Sequence, residues 1–244
     1  AMDRALLAVQ SAEGQRLPNF AAHAGRTTER LLRAAEPIWE GYLKHPFVRG
    51  LGEGSLNQDR FRFYMLQDYV YLFEYARVFA LGAAKAREPE SMRICAAYIH
   101  QIMEGELALH RSYMRRLGIP EKEAEQSRAS LDNLSYTSYM LRISYEGGEA
   151  ELTAAILACA LSYEYIARRL LKQYPSSVSH PFYGEWVQGY SSLSYHEENE
   201  KLIVLMERLT EQSPEAELSQ LAEIFVNCSR FEQSFWDMAW EQRA

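Results

Sequence analysis

The chain has no excess of basic residues. Its 26 Lys and Arg stand against 33 Asp and Glu, a formal net charge of −7. That balance argues against an electrostatic nucleic-acid surface. No Lys/Arg-rich helix, zinc signature or recognition-helix pattern offsets it. Long apolar runs are missing too. The longest uninterrupted one, Ala154 to Leu161, is far short of a membrane span. The opening Ala-Met-Asp-Arg-Ala-Leu-Leu holds no signal-peptide h-region. Cysteine is scarce: Cys95, Cys159 and Cys228, an odd number in 244 residues, read as reduced thiols of a cytoplasmic protein. No Ser/Gly/Pro run, charge block, low-complexity tract or internal repeat divides the chain. A single domain with no nucleic-acid or membrane partner is therefore expected.

What is present is an ordinary apolar content of 48% and an unusual 16 Tyr. Tyrosine brings a large apolar body with a polar tip, which suits a pocket wall as well as a core. Residues 1–25 are weakly periodic and are expected to be irregular or partly helical, an extension ahead of a helical domain over 26–244. Thr27 and Thr28 are candidate caps for a helix over 28–44. Phe47 to Leu56 reads as a Gly-rich loop; its glycines follow no strand, so it is not a phosphate cradle. Helices are expected over 58–86, capped by Asn57, and from Pro89 to Leu117. A polar connector leads to a helix starting at Ser135 or Thr137 and stopping at Gly147, then to one over 149–173. A short helix from His180 breaks at Gly189. Ser194 with Glu197 reads as a capping box for 193–211, and Ser213-Pro214 opens a helix over 214–242. No period-2 strand stands out, so the fold class is all-α, a multi-helix bundle of about eight helices around one core.

Polar residues inside apolar stripes point to chemistry. Helical steps of three and four through 149–173 give Leu152, Ile156, Cys159, Tyr163, Ile166 and Leu170. Cys159 and Tyr163 lie one turn apart on that face. Glu164 and Arg168 fall off it as a favourable i,i+4 pair. The thiol can be packing or nucleophile, and on periodicity alone it reads as core before catalyst. The second long helix gives Phe61, Met65, Asp68, Leu72, Tyr75 and Phe79, with a carboxylate at a core position and Tyr64 and Tyr71 beside it. A buried charge costs several kcal/mol unless paired, so tyrosine hydroxyls or an arginine are its expected partners. The last helix gives Leu218, Leu221, Phe225, Cys228, Glu232, Phe235 and Ala239. An apolar setting would raise the Glu232 carboxyl and make it a proton donor near neutrality. Two inward acids and a stripe Cys on three helices leave a shared site and separate structural roles both open.

Other candidates carry less. Glu106 and His110 are spaced i,i+4, but no Glu-x-x-His occurs, so a structural hydrogen bond is preferred to a metal and no metal is expected. His23 reads as exposed. His45, His100, His180 and His196 show no evident partner, no His spacing supports a Ser or Cys triad, and no histidine interrupts a stripe. Cys95 and Cys228 read as small core residues. The run Glu197-Glu198 and the acids of the final helix read as solvated faces.

The motifs taken together resemble the thiaminase II (TenA) family. The carriers are Trp39-Glu-Gly with His45-Pro-Phe-Val-Arg-Gly-Leu-Gly-Glu-Gly, Tyr64-Met-Leu-Gln-Asp68-Tyr-Val-Tyr71-Leu, Glu106-Leu-Ala-Leu-His110, Ser135-Tyr136-Thr-Ser-Tyr-Met, Cys159-Ala-Leu-Ser-Tyr163-Glu, Gly189-Tyr190, and Phe231-Glu232-Gln-Ser-Phe-Trp236-Asp-Met-Ala. They run in order over about residues 39–240 and leave the first 25 or so outside.

The resemblance implies a haem-oxygenase-like fold, no cofactor, and usually a homotetramer. It implies hydrolysis of a 4-amino-2-methylpyrimidine at its 5-methylene carbon, on aminopyrimidine breakdown products of thiamin and, in some members, thiamin itself. The product is the hydroxymethylpyrimidine used in thiamin salvage. By resemblance, Cys159 is the nucleophile that adds to the ring and Glu232 the acid. Asp68 hydrogen-bonds the ring nitrogen or amino group. Tyr71, Tyr136, Tyr163 and Tyr190 are pocket tyrosines that sandwich the ring and position the thiol and Glu232. Two rivals keep the same scaffold: a catalytically silent pyrimidine-binding or regulatory protein, and an oxidase resembling the quinone-cofactor synthase branch.

Overall fold

Alternating three- and four-residue apolar spacing produces helices along the whole computed structural model, which describes residue 7, residues 9–11 and residues 14–244. They are α1 (Arg26–Lys44), α2 (Pro46–Glu53), α3 (Gln58–Lys85), α4 (Pro89–His100), α5 (Leu107–Arg116), α6 (Glu121–Gln126), α7 (Leu131–Glu146), α8 (Glu149–Gln173), α9 (Gly184–Tyr190), α10 (Leu193–Leu209) and α11 (Glu215–Glu241). A π-helical turn, Gln101–Glu106, joins α4 to α5, and a 3₁₀ turn, Pro175–Ser179, follows α8. Among the described residues there is no strand, only an isolated bridge between Gln10 and Arg16. The all-α expectation holds.

The chain forms two compact units. One comprises the residues up to Leu56 together with Thr153–Trp236; the other comprises Asn57–Leu152 and Asp237–Ala244. In the first, α1 packs on α2 and α10, while α9 packs on α10 and on the 3₁₀ turn. In the second, α3 is the hub, touching α4, α5, α7 and the π turn. A satellite cluster of Met114, Ile119 and Ala124 in this unit packs against Leu66, Tyr69 and Leu117.

α8 is inside the protein on nearly every face. Leu152, Ile156, Cys159, Tyr163, Ile166 and Leu170 are buried, and so are Glu164 and Arg168. By length and composition alone α8 could cross a membrane, yet 94% of its apolar window is covered by the protein, as in a core helix. The Glu164 and Arg168 pair forms at 2.8 Å, but in the interior rather than off to the side. It is tolerated there because Glu164 also meets His196 Nδ1 at 2.8 Å and accepts a hydrogen bond from Asn199 Nδ2 at 2.7 Å. Three histidines are thus inward after all, His45, His110 and His196, and the last two are each paired with a carboxylate on a different helix.

Several boundaries depart from the sequence reading. The Gly-rich segment after His45 is a helix, not a loop. His45 Nδ1 accepts from the Phe47 N–H at 3.1 Å and caps it. Its glycines are there for close packing: a Cβ on Gly52 would come within 2.5 Å of Tyr174 and 2.8 Å of Leu170. Gly54 ends the helix at φ 72°. α1 begins at Arg26, and neither Thr27 nor Thr28 caps it. Instead the N–H groups of Gly25, Thr27 and Thr28 donate to the Glu207 carboxylate on α10, at 2.7–3.2 Å. The single helix expected from Pro89 to Leu117 is broken by the π turn. Part of the polar connector is helix α6. α7 starts at Leu131 under a Ser130 cap, not at Ser135 or Thr137. α9 starts at Gly184 rather than at His180, whose ring instead accepts from the Phe182 and Tyr183 N–H groups. Ser192, not Ser194, caps α10 by accepting from Tyr195.

The described part of the N-terminal extension is anchored in the first unit. Leu7, Leu17 and Phe20 are buried. Arg168 donates to the carbonyls of Leu7 (3.1 Å) and Pro18 (2.7 Å), and Glu200 accepts from the N–H groups of Ala22 and His23 at 2.8 Å each. His23 itself is exposed, with Nδ1 2.7 Å from Glu200.

Candidate active site

The residues singled out in the sequence fall into two groups, one in each unit. In the first unit, α8 supplies Cys159 and Tyr163, α11 supplies Glu232, and α9 supplies Tyr190. All four are buried. The Tyr163 ring meets Trp236 at 5.5 Å, Trp186 at 5.8 Å and Tyr190 at 4.8 Å. Trp236 lies one turn after Glu232, as Tyr163 lies one turn after Cys159. The ring contact therefore joins α8 to α11 one turn from each of these two residues. Phe47 also packs against Trp236, with centroids 5.6 Å apart.

Tyr42, which the sequence reading did not single out, belongs to this group. Its hydroxyl donates to the Ser229 carbonyl. Burial raises its pKa well above the ordinary range, and the charges of Glu232, Cys159 and Cys228 add to that. One phenol thus senses both proposed reactive groups and stays protonated. On α1 it repeats the spacing of Ala35 and Trp39, a core pattern that gives no hint of chemistry. Cys228 is an inert thiol: burial pushes it well up, and Glu232 pushes in the same direction. Burial likewise lifts Cys95 to about 11. Both fit the small-core-residue expectation.

In the second unit, α3 carries Asp68 and Tyr71, and α7 carries Tyr136. The rings of Tyr71 and Tyr136 are already in contact, with centroids 5.3 Å apart, so this pair makes one wall rather than two faces of a slot. Tyr71 Oη reaches Met140 Sδ at 3.8 Å. The partner of Asp68 is not a tyrosine or an arginine: His110 Nε2 lies 2.6 Å from Asp68 Oδ2. His110 Nδ1 in turn lies 2.8 Å from the Glu106 carbonyl. The carbonyl can only accept, so Nδ1 carries a proton. Glu106 and His110 are thus linked through a backbone oxygen, as the structural-bond reading had it. Among the described residues no group of three His, Cys, Asp or Glu could hold a metal ion. Burial pushes the Glu106 carboxyl up to about 7, opposed by His110 and reinforced by Asp68.

Chemically, the first group offers a thiol, a carboxyl and an aromatic cage, and the second offers a fixed carboxylate beside a tyrosine wall. Comparisons with known proteins agree in direction. Residues 32–242 match the TENA/THI-4/PQQC family. A Helicobacter pylori protein named aminopyrimidine aminohydrolase is 42% identical over 216 residues, covering 88% of this chain and 99% of that protein. The solved TenA homologue from P. horikoshii OT3 superposes with a TM-score of 0.80 at 29% identity, over 89% of this chain and 99% of that one. A Shewanella denitrificans OS217 domain described as having a heme oxygenase-like fold superposes at 0.71 with 17% identity, over 88% and 92%, which establishes the haem-oxygenase-like fold. The matched span starts after the N-terminal extension and runs through both units. The chain belongs to the TENA/THI-4/PQQC family.

Proposed function

We propose that the chain is a hydrolase that cleaves the C–N bond at the 5-methylene of a 4-amino-2-methylpyrimidine, a thiamin breakdown product, to give hydroxymethylpyrimidine for thiamin salvage. Cys159 is the nucleophile. The pyrimidine is electron-poor, and protonation of a ring nitrogen makes it accept a thiolate. Addition forms a C–S bond and sends an electron pair through the ring. That pair expels the amine from the methylene as Glu232 delivers a proton to it. Water then adds to the exocyclic methylene, giving up a proton. The ring expels the thiolate and regains aromaticity. Asp68 hydrogen-bonds the ring nitrogen or amino group, and Tyr71, Tyr136, Tyr163 and Tyr190 line the ring. The working form is a homotetramer, and three free buried thiols fit a reducing, cytoplasmic setting.

The observation that carries this reading is the Tyr163–Trp236 ring contact, made one helical turn beyond Cys159 on α8 and one turn beyond Glu232 on α11. Support also comes from Tyr42, whose phenol senses both, and from the name of the Helicobacter pylori relative. The test is to incubate the protein with 4-amino-5-aminomethyl-2-methylpyrimidine and follow it by NMR. Equimolar hydroxymethylpyrimidine and ammonia are expected. Unchanged substrate that binds tightly would instead support the silent-binder reading.

A further inference from the structure

Resting on that proposed reaction, we propose that His110 is a positioning residue. With Nδ1 tied to the Glu106 carbonyl and Nε2 held 2.6 Å from Asp68 Oδ2, it locks the Asp68 carboxylate so that Oδ1 meets the amino edge of the pyrimidine.

The geometry leaves little freedom. Nδ1 must be the protonated nitrogen toward the carbonyl, so a neutral ring would present a bare lone pair at Nε2. A lone pair 2.6 Å from a carboxylate oxygen is repulsive, so a proton occupies that gap. Burial alone would strip it from the imidazole. The hydrogen bond and charge of Asp68, aided by Glu106, outweigh burial and raise the His110 pKa. The result is an imidazolium–carboxylate pair in which one carboxylate oxygen is spent on His110.

The supporting frame is built to hold this ring. Both side chains are almost fully covered, His110 at 2% and Asp68 at 5%. Glu106 is the last residue of the π turn, a local widening that recurs at functional sites in helices. A carboxylate that served only to satisfy a buried histidine would not need to sit one turn before Tyr71, in the tyrosine wall.

The test measures binding of two ligands, hydroxymethylpyrimidine and its analogue lacking the 4-amino group, to wild type, His110→Ala, His110→Gln and Asp68→Asn. Gln offers an amide donor where Nε2 stood, without the charge. Wild-type turnover is checked first: its absence would count against the proposed reaction, not against His110. Given turnover, His110→Ala should weaken the amino ligand by about tenfold or more, as for a lost charge-assisted hydrogen bond. The 4-deamino ligand should change by less than about twofold. His110→Gln should recover most of the loss, and in an Asp68→Asn background His110→Ala should have no further effect. Equal weakening of both ligands, or of neither, overturns the proposal. Melting curves are run alongside, and if His110→Ala does not fold, the same ligand comparison in His110→Gln decides. There, a 4-amino preference that collapses together with general affinity overturns it.

Discussion

Tyr163 and Trp236 pack with ring centroids 5.5 Å apart at 39°, each one helical turn beyond a proposed reactive residue, Cys159 on α8 and Glu232 on α11. Two helices separated by about 70 residues are clasped at that point. Trp236 also holds Phe47, so it is a keystone as well as a wall. Trp236→Ala should cost about 3–5 kcal/mol of stability. If the clasp also positions the proposed thiol and acid, the rate of amine release falls by more than the folded fraction does. Urea titration with activity at matched folded fraction checks this. A fall that merely follows unfolding would show the clasp to be structural only.

The three cysteines should separate by reactivity. Burial pushes the Cys95 thiol to about 11 and Cys228 well above its ordinary value. Both are therefore thiols at neutral pH and poor nucleophiles. Iodoacetamide followed by peptide mass analysis should label Cys159 first in the native protein. Labelling of Cys95 or Cys228 at a comparable rate would contradict the assignment.

Glu106 predicts a pH dependence of stability. Its folded pKa, raised by burial to about 7, lies above the unfolded value of about 4.3. Between those values the folded state keeps a proton that the unfolded state has released. Stability therefore falls as pH rises from about 4 to 7 and levels off above. Glu106→Gln removes this drop. It should match wild type at pH 4 and exceed it by about 2 kcal/mol at pH 8, part of the full effect being screened by solvent at this half-buried group. Denaturant melts at the two pH values measure it; equal stabilities at pH 8 would contradict it.

Arg168 is the pivot of the first unit's buried charges. It pairs with Glu164 and donates to the Leu7 and Pro18 carbonyls. Arg168→Met leaves a buried carboxylate short of its cation and should cost about 3–5 kcal/mol. It should also free the segment before residue 20, seen as new proteolytic cleavage there under native conditions. Unchanged cleavage would mean that Leu7, Leu17 and Phe20 hold the extension by packing alone.

The helices were largely legible because each long one carries an apolar stripe. α8 runs from Glu149 to Gln173, as its spacing and the flanking Gly148 and Pro175 indicate. The stripes also marked Asp68, Cys159 and Glu232 as inward. What was illegible depends on partners far away in sequence. Glycine in 46–53 reads as loop by propensity, but the protein uses its small size to bring α2 against Tyr174 and Leu170. The start of α1 is capped by Glu207, about 180 residues on, where no local pattern can show it. His110 and Asp68 are 42 residues apart on different helices. His196 looked unpaired because Glu164 lies on another helix, and His110 showed only its local link to Glu106 because Asp68 lies on α3. Tyr42 carries no signal beyond an ordinary core spacing.

The central claim is covalent catalysis by Cys159. It is tested most directly by the rate of ammonia release from 4-amino-5-aminomethyl-2-methylpyrimidine by wild type, Cys159→Ala and Glu232→Gln, each first shown to be folded by near-UV circular dichroism. The account predicts turnover in wild type and loss of at least about a thousandfold in both variants, as for removal of a nucleophile or its acid. Turnover that survives in Cys159→Ala would contradict it.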